Sequence, residues 1–306
     1  MSWMGIRGTS GFVCDNSRTQ ITPVFVISLE EATSRRERIA RHLGKLGIKF
    51  EFIAAVNGKR LDKAYAESVT TPMFRNAVGW RGALGCALSH VSIFRRMESE
   101  NLAQALILED DVVLNRKARD LVCNPDTEPF DHVFLGCGVF GQVRVGNSFA
   151  LRRVAYDESS LRYLKTGFVS ATLSDGPVRT HAYLISQNAA RKRLEDVFPF
   201  QQPIDYYSHL ECDFKFEAII KPRMAWISPA GLQSQIRDAS KADYRISDLQ
   251  NPLKRFKWYY PLKDALLLKG RSAATAFDQR LAEGSLASGR WRHLPWGEQD
   301  ILYKDV

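Results

Sequence analysis

The chain has 306 residues, a formal net charge of +9, a pI near 9.3 and 45% hydrophobic residues. That apolar content supports a sizeable core, and the basic balance points to an anionic partner: a nucleotide, a nucleic acid or an acidic membrane surface. Five scattered cysteines (Cys14, Cys86, Cys123, Cys137, Cys212) form no C-x-x-C pair, which disfavours a zinc site and fits reduced thiols in a cytosolic protein.

Residues 1–20 read as a loose polar arm with no apolar leader, so no secretory signal is expected. The run 23–29 is predicted as a first buried strand. Ser34 followed by Glu37 matches a capping box for a helix starting near Arg35. Ile39, Leu43 and Leu46 give that helix one apolar face, and Gly47 supplies a stop. A second strand over 49–56, ending at Asn57-Gly58, completes a β-α-β unit. Leu84, Leu88, Val91 and Phe94 predict a helix over 83–98, which feeds a strand at 105–108. Further on, 131–136 and 181–186 read as strands, 188–197 as a helix and 199–203 as a breaker-rich turn. The run 214–220 fits strand or helix, and 137–180 reads as loops and short strands. The segment 253–271 mixes Lys254, Arg255, Lys257, Lys263, Lys269 and Arg271 with Phe256, Trp258, Tyr259 and Tyr260. Three parts are therefore expected: the arm (1–20), an α/β domain (21–240) and a basic aromatic extension (241–306). No run approaches the ~20 apolar residues of a spanning helix.

The most informative stretch is Ala105-Leu106-Ile107-Leu108-Glu109-Asp110-Asp111, an apolar run leading into three acids. Its apolar part reads as a strand buried on both faces. Adjacent carboxylates repel unless something positive sits among them, and a hard divalent cation that also holds phosphates is the natural candidate. Period-two alternation would put residues 109 and 111 on one side and 110 on the other. A solvated acidic turn is the plain alternative. Gly82 and Gly85 at a helix entry would let backbone approach an anion, or simply allow tight helix packing. His90 favours a hydrogen-bonded core role. Arg35, Arg36 and Arg38 near a strand's carboxyl end could hold a diphosphate or form a solvated face, although positive charge at a helix N-terminus needs compensation. Asp205, after Pro203, fits a general base or sugar ligand, and equally an exposed turn. The 253–271 segment fits an interfacial stretch on an anionic membrane or a packed helix interrupted by Pro261.

In order, Val26-Ile27-Ser28-Leu29, Arg35-Arg36, Ala55-Val56-Asn57-Gly58, Gly85-Cys86-Ala87-Leu88-Ser89-His90, Leu106 to Asp111, His181 to Ser186, Pro203-Ile204-Asp205 and Gln233-Ser234-x-Ile236 resemble glycosyltransferase family 25. This family of bacterial lipooligosaccharide transferases is related to collagen galactosyltransferases. The likeness covers roughly 23–237, and the Gly-Cys-x-x-Ser-His and Leu-Glu-Asp-Asp blocks are its specific part. The resemblance implies a GT-A-like Rossmann-type, mostly parallel sheet flanked by helices. It also implies a UDP-sugar donor (commonly UDP-galactose), Mn²⁺ or Mg²⁺, and inversion at the anomeric carbon. It places the metal on Asp110 and Asp111, and donor contacts on Ile27, Leu29, Arg35, Arg36, Asn57, Gly85, Ser89, His90 and Glu109. Its late Asp falls on Asp205, the expected base. Ser28 stands where the family usually has Asn, and 137–180 does not match it clearly.

The expected activity is therefore transfer of a hexose to a saccharide or glycolipid acceptor in lipopolysaccharide or related glycan synthesis. The expected location is the cytoplasm, peripheral on the inner face of a bacterial inner membrane. Two rivals remain: a metal-dependent phosphoesterase acting on nucleotide sugars, which would want a further ligand cluster, and a non-catalytic membrane-associated adaptor. Nucleic acid is not expected as a partner, because no binding motif accompanies the charge.

Overall fold

The computed structural model describes residues 21–76, 79–123, 131–138, 142–145, 148–151, 155–164, 166–173, 178–195, 197–205, 215–228 and 291–293. The arm at 1–20, the segment 253–271 and the block 233–236 lie outside these residues.

The chain begins with strand β1 (Val24–Ser28), helix α1 (Thr33–Lys45) and strand β2 (Glu51–Ala54). Short helices α2 (Lys63–Ser68) and α3 (Pro72–Arg75) precede the long α4 (Trp80–Ser99). Then come β3 (Gln104–Glu109), β4 (Val112–Leu114), α5 (Ala118–Cys123) and β5 (His132–Gly138). The middle region holds β6 (Gln142–Val145), β7 (Ser148–Leu151), β8 (Ala155–Asp157), β9 (Arg162–Tyr163) and β10 (Val169–Thr172). Strand β11 (Val178–Ser186), helix α6 (Gln187–Glu195), β12 (Phe216–Lys221) and β13 (Ala225–Ile227) follow, and β14 (Trp291–His293) pairs back onto β8.

Eight strands form one sheet in the order β2-β1-β3-β11-β5-β12-β10-β9. Pairs β1–β2, β1–β3 and β5–β12 are parallel, whereas β11 and β10 run antiparallel to their neighbours. All strands except β10 and β11 thus point the same way. This is the expected α/β architecture, with its parallel run interrupted where β11 enters between β3 and β5.

The pleat explains the layers. Phe25, Ile27, Ala105 and Ile107 pack with Leu84, Val91, Phe94 and Met97 of α4 and with Ala189 and Ala190 of α6. Val24, Val26, Leu106 and Leu108 pack on the other face with Ile39 and Leu43 of α1 and with Leu121 and Val122 of α5. Alternate residues of one strand therefore serve opposite layers. All five β1 residues are buried, as expected of a strand covered on both faces.

Helix α1 carries the predicted apolar face and ends at Gly47, whose φ of 65° lies in the left-handed region that favours glycine. Its start differs from the capping box. Ala32 is the N-cap and makes no side-chain cap, so Ser34 falls inside the first turn. The Ala32 amide donates to the Leu29 carbonyl at 3.0 Å, turning the chain from β1 straight into the helix with no room for a capping hydroxyl. Within the ambiguous run, residues 216–220 resolve as β12, which pairs in parallel with β5.

From β1 the chain crosses by α1 on one face to β2, then by α4 on the opposite face to β3 on the other side of β1. The β1/β3 boundary is therefore a topological switch point, and its carboxyl end is where open α/β sheets bind ligands.

Candidate functional site

A cleft opens at that boundary, with about 970 Å³ of empty space including its mouth. Its lining includes Ile27, Ser28 and Leu29 from the end of β1, Arg35 from α1 and Asn57 from the loop after β2. Ser89 and His90 of α4 and Glu109, Asp110 and Asp111 after β3 also line it. Residues separated by more than eighty positions meet because β1 and β3 end side by side, with Ile27 opposite Glu109.

The acidic run does not continue as a strand. β3 stops at Glu109, and residues 110 and 111 form a turn, so alternation no longer governs them. Asp110 and Asp111 both face Arg35. Its Nη2 lies 2.8 Å from Asp110 Oδ1 and 2.8 Å from Asp111 Oδ2. Ser28 Oγ donates to Asp110 Oδ2 at 2.7 Å, and Arg38 donates to the Asp110 carbonyl at 3.1 Å. The carboxylates thus supply the compensation that a basic helix start requires. Burial nevertheless pushes Asp111 above the usual carboxylate range, helped by Asp110 and opposed by Arg35.

Glu109 turns toward a different set of groups. It accepts from Thr180 Oγ1 at 2.5 Å. Burial, followed by the charge of Asp111, pushes it up to about 8, and Asp205 adds to the effect. Cys86 is raised by burial and by the charges of Glu109 and Asp205. His90 is fully buried, with Nδ1 2.7 Å from the Tyr183 hydroxyl, and burial pushes it down to about 3.

Several expected contacts take other roles. Arg36 leaves the cleft and stacks on Phe52, 3.9 Å from the ring centroid. Gly85 is not on the cleft surface. A Cβ there would overlap the Val56 carbonyl oxygen and the Gly58 amide, so this glycine lets α4 touch the loop after β2. Ser89 seals the same contact, accepting from the Val56 amide at 2.8 Å and donating to the Gly85 carbonyl at 2.7 Å. Asn57 bonds Glu31 at 3.0 Å and caps the turn at Lys59. Asp205 sits beyond the cleft lining, near enough for its charge to raise Glu109 and Cys86. Its turn is pinned by Arg193 donating to the Ile204 carbonyl at 2.8 Å.

Sequence reasoning did not single out Ser28, Thr180 or Cys86 as site groups. A hydroxyl at the end of β1 was a readable signal for Ser28. Thr180 carried none, since its partner is 71 positions away.

The residues at 110–111 fit a hard cation. Asp111 Oδ1 is buried and meets no hydrogen-bond partner, and two carboxylates converge on one guanidinium. An all-oxygen set with an unsatisfied lone pair is the chemistry that Mg²⁺ or Mn²⁺ prefers.

Fold and cleft together define an α/β protein with a charged ligand site at its switch point. The chain belongs to glycosyltransferase family 25 (LPS biosynthesis protein), whose family model matches residues 21–208. It is 28% identical over 182 residues to procollagen galactosyltransferase 1-A of Xenopus laevis, covering 56% of this chain and 28% of that protein. It is 33% identical over 112 residues to a glycosyltransferase 25 family member of Anopheles gambiae (34% of this chain, 19% of the relative). It is also 32% identical over 133 residues to the probable inactive glycosyltransferase 25 family member 3 of Bos taurus (39% and 22%). The chain spans less than a third of the length of these relatives.

Proposed function

We propose that the chain transfers a hexose, galactose, from a UDP-sugar to a hydroxyl of a saccharide or glycolipid acceptor, with inversion. The observation that carries this reading is the switch-point cleft, where Arg35, Asp110 and Asp111 cluster in a chain of family 25. The family description supports a place in lipopolysaccharide or related surface glycan synthesis, and the procollagen galactosyltransferase relative supports galactose.

Asp110 and Asp111 would hold Mn²⁺ or Mg²⁺. When bound, the ion supplies Lewis-acid charge for the departing diphosphate. Arg35 adds a fixed positive charge beside the same oxygens and keeps both carboxylates oriented. Ile27 and Leu29 give the cleft an apolar wall against the nucleoside, and Asn57 offers polar atoms at its edge. The acceptor oxygen forms a bond to the anomeric carbon while the bond to the diphosphate breaks, and Asp205 accepts the hydroxyl proton. The reading also sets a location, the cytoplasmic side of a bacterial inner membrane, with 253–271 resting on anionic lipid. Among the described residues no helix is long and apolar enough to cross a membrane.

The test is titration calorimetry of the full chain with UDP, with and without Mn²⁺. Metal-dependent binding is expected, and Asp111→Ala should remove it while circular dichroism stays native. Absence of UDP binding in the parent chain would favour the adaptor reading. Cleavage of UDP-galactose as fast without acceptor as with it would favour the phosphoesterase.

A further inference from the structure

The cleft contains a set of donor atoms separate from the arginine-bridged pair. Cys86 and His90 stand four residues apart on α4, so they share one face of the helix. Glu109 ends β3 beside them. All three line the cleft, and one ligand-capable atom from each lies within 4.8 Å of the other two. His90 is completely buried, yet its Nε2 meets no hydrogen-bond partner. Its Nδ1 is held by the Tyr183 hydroxyl at 2.7 Å. In the tautomer that donates from Nδ1, Nε2 carries a lone pair that no hydrogen bond uses. A buried nitrogen left so is costly, whereas a metal-bound histidine characteristically has its other nitrogen held by the protein. Glu109 is fixed the same way: Thr180 occupies Oε1 and leaves Oε2.

Sulfur, imidazole nitrogen and a carboxylate oxygen make a borderline-soft set, suited to Zn²⁺ or Co²⁺ and poorly suited to Mg²⁺. Three protein ligands with the remaining side open to a cleft match the pattern of an accessible zinc site. We propose that Cys86, His90 and Glu109 form a zinc-class cation site, distinct from the Asp110–Asp111 pair. Binding releases the Cys86 proton to solvent and forms a thiolate–metal bond. The site does not depend on the UDP-sugar reading.

The experiment is a Co²⁺ titration of the full chain, read by the thiolate-to-cobalt charge-transfer band. The band should saturate at one equivalent, and Zn²⁺ should bleach it while Mg²⁺ does not. Cys86→Ser should abolish it and Asp111→Asn should leave it. Tyr183→Phe, which releases the far side of His90, should weaken Co²⁺ binding about tenfold. No band in the parent chain, a band that persists in Cys86→Ser, or one that disappears in Asp111→Asn would overturn the proposal. Thiol labelling of the unmodified chain gives a check independent of folding. One equivalent of Zn²⁺ should protect the Cys86 peptide from a maleimide, and equal labelling with and without zinc would overturn the site as well. Neither readout involves UDP, so failure here leaves the transferase reading standing.

Discussion

Two walls of the same cleft solve the problem of buried charge differently. On the α1 side, Arg35 bridges Asp110 and Asp111, and Ser28 and Arg38 bond the same turn. On the α4 side, Glu109, Cys86 and His90 have the hydroxyls of Thr180 and Tyr183 nearby, and burial moves each of the three toward its neutral form. One wall compensates charge with an opposite charge. The other suppresses it. The first should therefore be sensitive to loss of a cation, and the second to loss of packing.

Removing the cation is the strongest way to break that contrast. Arg35→Ala leaves two buried carboxylates facing each other, and should cost about 3 kcal/mol of unfolding free energy by urea titration. Gly85→Ala probes the other wall. The added methyl meets backbone of the 56–58 loop, which cannot yield as a side chain can, so a loss of about 2 kcal/mol is expected by the same measurement. His42 sharpens the comparison from behind. It lies on α1, and its Nε2 accepts from the Leu114 amide at 2.9 Å, tying the helix to β4 just beyond the acidic turn. Burial holds His42 below its ordinary 6.5. Its contribution is thus present above the unfolded value and is lost as pH falls through the folded one. The unfolding free energy from urea titration should fall as the pH is lowered below about 6.5, and His42→Gln should flatten the change. Arg36→Ala should matter least. It loses a cation–π contact outside the cleft, worth below about 1 kcal/mol, and should bind UDP as the parent does in calorimetry.

The sheet's first half was legible because its signals are local. Ile39, Leu43 and Leu46 at helical spacing, with Gly47 behind them, define α1 without reference to anything distant. The position of the acidic turn was legible for a topological reason, since an apolar strand ending in carboxylates can place them only at its carboxyl end. What failed were inferences that a neighbouring element decides. Ser34 is a good cap in isolation, but the tight exit from β1 starts the helix before it. Alternation over 109–111 presumed a strand reaching 111, and β3 ends two residues earlier. Of the two readings of Gly85, a backbone opening for an anion or tight helix packing, the loop after β2 selects the packing one. Arg36 sits next to Arg35 in sequence but one helical step around the axis, which turns it onto Phe52. The cysteine spacing spoke against zinc because it weighed cysteines only against one another. It did not weigh Cys86 with a histidine one turn later and a glutamate from another strand.

The bridging guanidinium of Arg35 has a thermodynamic consequence. Asp110 and Asp111 are frozen in register before any ion arrives, so their rotameric disorder has already been surrendered during folding. A divalent cation entering there meets a resident positive charge that must swing aside or share its oxygens. Loading of the proposed cation site would therefore be a substitution of one counter-charge for another, with a weaker entropic penalty than recruitment of two mobile surface acids.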